Sequence, residues 1–132
     1  MSKPNHKFPC CTEKRHKAAY DALKPTLAKL SQTGKDVIVT GGGAGIGAAT
    51  ALQAGASVVI GRRAASLKPT KCNIEDIVSE TKIHTCATDV THKDSINAIF
   101  KTIHDRVGQI HVFENNTGYL STPAPIKDAD EE

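Results

Sequence analysis

The segment Thr40-Gly41-Gly42-Gly43-Ala44-Gly45-Ile46-Gly47, set directly behind the β-branched run Val37-Ile38-Val39, constrains the fold of this chain more than any other stretch. A β-branched run that stops at glycines and resumes in small residues reads as a strand, a tight turn and the start of a helix. At such a junction the first amides of the helix and its positive end face one point, which suits an anion such as a pyrophosphate. Glycine is needed there because an absent side chain lets the backbone approach the phosphates and lets the helix lie close on the strand. A flexible linker is the plainer reading of a glycine string, and the strand before and helix after argue against it. The spacing differs from GxGxxG. It is TGxxxGxG, with Thr40 leading, Gly41, Gly45 and Gly47 in the key places and Ile46 between the last two.

Short β-branched runs recur at Ser57-Val58-Val59-Ile60, from Ile83 to Ala87 and from Ile110 to Phe113, and helical patterns fall between them. This alternation predicts an α/β fold with a parallel sheet of about four strands and helices on both faces. The clearest helix spans 92–107, where Ile96, Ile99, Phe100, Ile103 and Val107 recur at helical spacing, Thr91 is placed to cap and Asp94 sits at the third helical position. A weaker helix is predicted near Ile74, Ile77 and Val78, started by Asn73 after a break at Pro69. A chain of 132 residues has room for one domain with a real core. A lysine-rich, loosely ordered arm is expected over 1–35, interrupted by Pro4, Pro9 and Pro25, then a folded unit over 36–120. An acidic tail over 121–132 carries Asp128, Asp130, Glu131 and Glu132.

Charge and composition remove several function classes. A formal charge of +3, two Tyr and three Phe supply neither a strong basic field nor a stacking surface for nucleic acid. No apolar run approaches the roughly 20 residues of a membrane span, and residues 1–9 are too polar for a signal peptide. The expectation is a soluble, cytoplasmic protein with no membrane partner. Cys10, Cys11, Cys72 and Cys86 show no CxxC and no disulfide-framework spacing, and read as free thiols. His6, Cys10, Cys11 and His16 invite a zinc reading, but adjacent cysteines reach one tetrahedral ion poorly. His84, His92, His104 and His111 share no metal spacing, so no metal is assigned. Cys86, on the third strand, reads as a small buried residue.

Three further segments join the glycine turn in a fixed order. Gly61-Arg62-Arg63 ends the second predicted strand, Asp89-Val90 follows the third, and Asn115-Asn116-Thr117-Gly118 follows the fourth. Over roughly residues 34–127 the chain resembles the short-chain dehydrogenase/reductase family of NAD(P)-dependent oxidoreductases. The resemblance implies a partial Rossmann-like, doubly wound sheet of order 3-2-1-4 and a nicotinamide dinucleotide as partner. It implies that Thr40, Gly41, Gly45, Ile46 and Gly47 form the pyrophosphate turn and that Asp89 and Val90 lie near the adenine. Asn116 would belong to the segment that supports the sheet and lines the cofactor cleft. At the end of the second strand a carboxylate would hydrogen-bond the ribose 2′-hydroxyl of NAD, whereas arginine would neutralise the 2′-phosphate of NADP. Arg62 and Arg63 stand there with no acid beside them, so NADP is expected over NAD. Two solvated surface arginines are the bland alternative.

The same resemblance implies groups this sequence does not supply. In the family a Ser, a Tyr and a Lys three or four positions beyond the Tyr perform the hydride step, all later than the Asn-Asn-Ala-Gly segment. The fourteen residues after Gly118 contain no such set, so no catalytic residue is assigned. Tyr20 and Lys24 match Tyr-x-x-x-Lys, but they precede the first strand and run into Pro25, a chance match. The fourth strand is expected at a sheet edge, which invites pairing into a homo- or hetero-oligomer. Glu114, at its end, would be costly if buried without a partner. Further departures are a first helix about one turn short, Thr117 where the family has Ala, and His111 where it has Asp. The stretch from Gly118 to Ile126 resembles fungal members, many of which act on secondary metabolites. The expected function is an NADP-dependent oxidoreductase of a carbonyl or alcohol substrate, represented by its cofactor-binding half. The alternative is a non-catalytic nucleotide-binding or oligomerising module.

Overall fold

The computed structural model describes Ala18, residues 20–24, 27–78 and 82–119. Two short 3-10 turns, Asp21–Leu23 and Ala28–Leu30, precede the sheet. Then follow β1 (Val37–Thr40), α1 (Gly45–Ala54), β2 (Val58–Gly61), α2 (Ala64–Ile77), β3 (His84–Ala87), α3 (Lys93–Val107) and β4 (Val112–Glu114). The strands form one parallel sheet in the order β3-β2-β1-β4, the class that the alternation predicts and the order that the family resemblance implies.

β1 and β2 read as continuous Val and Ile runs because both of their faces are covered. Successive side chains alternate between the two layers. Val37, Val39 and Val59 face α1 and α2, where they pack with Ala51, Leu67 and Ile74. Ile38, Val58 and Ile60 face the other way and pack with Ile103 of α3, backed by Ile99 and Phe100. The register sets Ile38 beside Val58 and Val39 beside Val59, so each layer meets a matched row. Every fully buried side chain of this kind contributes about 1.5 to 3 kcal/mol. α1 needs only ten residues to return the chain to β2, because Gly55 closes it in the left-handed conformation. The Gly55 N–H reaches Leu52 O at 3.3 Å and the Ala56 N–H reaches Ala51 O at 2.9 Å, a Schellman closure.

Several local expectations need correction. α2 does not start at Asn73 after a break; it starts at Ala64 and carries Pro69 inside it. Pro69 leaves one turn's hydrogen bond unmade, yet Leu67, Thr70 and Ile74 anchor the inner face of the helix and outweigh that loss. Thr91 does not cap α3. Its N–H and hydroxyl both donate to Asp89 Oδ1, at 3.0 and 2.8 Å, and His92 takes the N-cap position without a side-chain capping bond. Asp94 is therefore the second residue of the helix. β4 lies later than expected, because Ile110 turns into the α3 layer before strand pairing begins at Val112. Glu114 is exposed, which removes the desolvation cost a buried carboxylate would carry.

The histidines and Cys86 have ordinary surroundings. His111 Nδ1 accepts the Asp36 N–H at 3.0 Å and so helps to tie β1 to β4. Burial, followed by Lys82, Arg106 and Lys71 nearby, lowers the His84 pKa. Burial raises the Cys86 thiol, against a smaller opposing effect from Arg106. His6, Cys10, Cys11 and His16, weighed for zinc, lie outside the described residues.

Candidate functional site

The carboxyl ends of all four strands open on one cleft of about 270 Å³. Behind β1 it is lined by Gly41, Gly43 and Ala44, and behind β2 by Gly61, Arg62 and Arg63. Ser66 follows from α2, Thr88 and Val90 from behind β3, and Asn116, Thr117 and Gly118 from behind β4. The cleft lies where the crossovers from β1 diverge, with β2 on one side and β4 on the other, the point at which open parallel sheets bind ligands. Its volume falls below the about 300 to 1,000 Å³ of sites that enclose a whole drug-sized ligand.

Thr40 builds the floor. Its hydroxyl accepts the N–H of Asn116 at 3.0 Å and the N–H of Thr117 at 3.1 Å, and faces Glu114 O at 3.4 Å. The Asn116 side-chain amide donates to Thr40 O at 3.1 Å. Through these bonds the last residue of β1 fixes the segment behind β4 against the glycine turn.

Three glycines are held by close approach, Gly42 because a Cβ there would run into Val59 Cγ1. A Cβ on Gly47 would run into the carbonyl oxygen of Gly41 and the amide nitrogen of Asn116. A Cβ on Gly43 would stand 2.6 Å from Ser66 Oγ. No side chain caps α1 at Ala44, so the amides of its first turn remain available to a ligand.

The rim is cationic. Arg62 and Arg63 are exposed on it, and no acidic side chain is among the described lining residues. Asp89 sits just outside, between Thr88 and Val90. Hydrogen bonds from the Thr91 backbone and then the Thr91 hydroxyl hold its carboxyl below the ordinary carboxylate range, with smaller help from His92 and Arg62. It stays ionised beside the rim.

The structure thus brings Gly41, Arg62, Arg63, Val90 and Asn116 together as lining and places Thr40 and Gly47 beneath them. Gly45 takes a φ of 57° in open space. Ile46 is 79% exposed and opens instead on an apolar hollow shared with Leu23 and Leu30. Sequence reading missed Ser66 and Thr88. Starting α2 directly after Arg63 would have put Ser66 in its first turn, whereas Thr88 carries no signal beyond its place before Asp89.

Residues 35–132 match the sequence model of the short chain dehydrogenases. The chain belongs to the short chain dehydrogenase family. It is 33% identical over 125 residues to the short chain dehydrogenase tazN of Aspergillus terreus, an alignment that covers 92% of this chain and 27% of that protein. Its fold is similar to that of levodione reductase, with a TM-score of 0.67 and 24% identity over 74% of this chain and 39% of the other. YwfH, described as an NADPH dependent reductase involved in bacilysin biosynthesis, matches with a TM-score of 0.58 and 27% identity over 62% of this chain and 36% of its own. This short chain dehydrogenase segment therefore spans about a quarter to two fifths of the lengths of these relatives.

Short chain dehydrogenases bind nicotinamide dinucleotides, and the residues of the cleft suit the phosphate-bearing end of one. No side chain caps α1 at Ala44 and nothing among the described residues stands where a Cβ on Gly45 would lie, which leaves a bare peptide surface at the start of α1. Cationic side chains flank it on the β2 side.

Proposed function

We propose that the chain binds NADP in preference to NAD and holds the adenosine and pyrophosphate end of the cofactor for an oxidoreductase of carbonyl or alcohol substrates. The observation that carries this reading is the pair Arg62 and Arg63 on the rim of the cleft that Gly41 opens, with no acid among the described lining. A guanidinium forms bidentate, charge-assisted bonds with a phosphate monoester, whereas a ribose hydroxyl gains little from it. Gly41 and the first turn of α1 would hold the pyrophosphate, Val90 would offer the adenine an apolar wall, and Asn116 would keep the cleft open against β1. The bound dinucleotide supplies or accepts the hydride.

The binding unit is 36–120, with the arm over 1–35 and the tail over 121–132 outside it. A role in secondary metabolism is supported by the likeness to YwfH and by the fungal character of the stretch after Gly118. No helix among the described residues is long and apolar enough to cross a membrane, which supports a cytoplasmic place.

Fluorescence titration of the purified chain with NADPH and NADH tests the reading. NADPH is expected to bind about tenfold tighter, the worth of one charge-assisted contact. Equal affinity, tighter NADH, or binding of neither would overturn it. Turnover of generic carbonyls by these 132 residues alone is not expected, since no Ser, Tyr and Lys set follows Gly118. A second reading, self-association through β4, is favoured by the place of that strand at the edge of the described sheet and by Phe113, 46% exposed on it.

A further inference from the structure

We infer that Ser66 is a specificity-determining residue of this cleft, its hydroxyl hydrogen-bonding the 2′-phosphate of NADP beside Arg62 and Arg63. The inference rests on the NADP reading above and deepens it.

The turn residues Gly42, Gly43 and Ala44 bring no hydroxyl and no charge to the cleft. A polar side chain on that side has to come from another element. Ser66, in the first turn of α2, supplies it and lines the cleft together with both arginines. The atoms that a Cβ on Gly43 would meet are Ser66 Oγ at 2.6 Å and Ser66 Cβ at 3.1 Å. Ser66 therefore occupies the space a side chain of the turn would claim, and Gly43 is the condition for its presence there.

The hydroxyl is free to be redirected. It donates to Arg63 O at 2.8 Å, but the same carbonyl also accepts the Ser66 N–H at 3.1 Å. Turning the hydroxyl towards a ligand leaves that carbonyl satisfied, so the rotation strands no polar group. What it would turn towards is set by charge. Arg63 is the N-cap of a fourteen-residue helix and makes no side-chain cap, and the positive end of that helix adds to the two guanidinium groups. A dianionic phosphate monoester gains a charge-assisted bond from the hydroxyl, while the free 2′-hydroxyl of NAD gains a neutral one of about half the strength. Ser66 thus discriminates between the two dinucleotides and does not merely add affinity to both.

The test measures NADPH and NADH affinities for the full chain and for Ser66→Ala and Ser66→Thr, with a circular dichroism melt of each to confirm folding. Ser66→Ala is expected to weaken NADPH about tenfold and NADH about threefold, as for loss of one charged and one neutral hydrogen bond. Ser66→Thr keeps the hydroxyl and is expected to keep the preference. An unchanged NADPH to NADH ratio in Ser66→Ala, or equal losses on both, would overturn the role of Ser66 while leaving the arginine reading intact. Loss of the preference in Ser66→Thr with a normal melt would count against it in the same way. If Ser66→Ala fails to melt cooperatively, Ser66→Cys, which keeps the size and replaces the hydroxyl by a weak donor, takes its place with the same expected loss of preference and the same overturning result. Wild-type chain that shows no NADPH preference would remove the underlying reading and this one with it.

Discussion

Replacing Thr40 by valine keeps the shape of a β-branched residue at the end of β1 and removes the one oxygen that accepts the N–H groups of both Asn116 and Thr117. Two partly buried donors lose their partner at once, and each such loss costs about 1 to 3 kcal/mol where water cannot replace it. Thr40→Val is expected to lower the unfolding free energy by about 2 kcal/mol in urea titrations and to speed amide exchange at Asn116 and Thr117. Unchanged exchange at those two amides would show that the hydroxyl is not what holds them. Asp89 gives a second case. Because the Thr91 bonds favour its ionised form, its folded-state pKa lies below its unfolded one. The associated stabilisation is complete above the ordinary carboxylate value near about 4 and is lost as pH falls through the depressed folded value. Asp89→Asn is therefore expected to flatten the decline of stability below about pH 4, and stability curves of variant and wild type that stay parallel there would refute it. The sequence exposes Thr40 and Asp89 as parts of motifs, but not what they bond. The partners of Thr40 lie more than seventy positions away and become neighbours only when β4 pairs with β1.

Pro69 sits in the sixth position of α2, past the first turn in which a missing N–H costs nothing. Proline in a helix interior is about 3 kcal/mol less favourable than alanine, and only packing of the inner face holds the helix together across it. Pro69 is exposed and contributes nothing to that face. Pro69→Ala is expected to raise the unfolding free energy by about 1 to 3 kcal/mol without altering dinucleotide affinity, measured by denaturant titration alongside NADPH binding. A loss of stability would mean that the kink itself serves the packing. Local rules mislead here for a physical reason. A proline marks a break where propensity decides, and in α2 the burial of Leu67 and Ile74 decides instead. The opposite holds for α3, whose repeat of Ile99, Phe100, Ile103 and Val107 is legible because the apolar stripe and the buried face coincide. Ser66 went unread for the same reason as α2. Once the helix is begun too late, the residue falls in a loop with no reason to face Gly43.

At the scale of the molecule, the alternation of β-branched runs and helices makes the sheet parallel, whereas the order 3-2-1-4 is what the family resemblance implies and the sheet shows. That order fixes which strands are inside and which are at the edges. β1 and β2 have both layers covered, whereas β4 pairs only with β1 in the described sheet and leaves its outer backbone groups without a strand. Phe113 lies on this strand, half-exposed, with its ring tilted against Phe100 at a centroid separation of 5.8 Å. An edge with an exposed aromatic residue is a template for pairing, and Glu114 at its end supplies the one charge that opposes it. The 132-residue chain by itself is therefore expected to self-associate through β4, with a mass by light scattering that rises with concentration above that of a single chain. Phe113→Lys should hold it at the mass of a single chain under the same conditions. The lysine stem can still cover Phe100 while its ammonium group sets like charges against each other across any β4 to β4 contact. Wild-type chain that remains strictly monomeric at high concentration would count against the edge, and association that survives Phe113→Lys would move the contact elsewhere, towards the apolar hollow between Leu30 and Ile46.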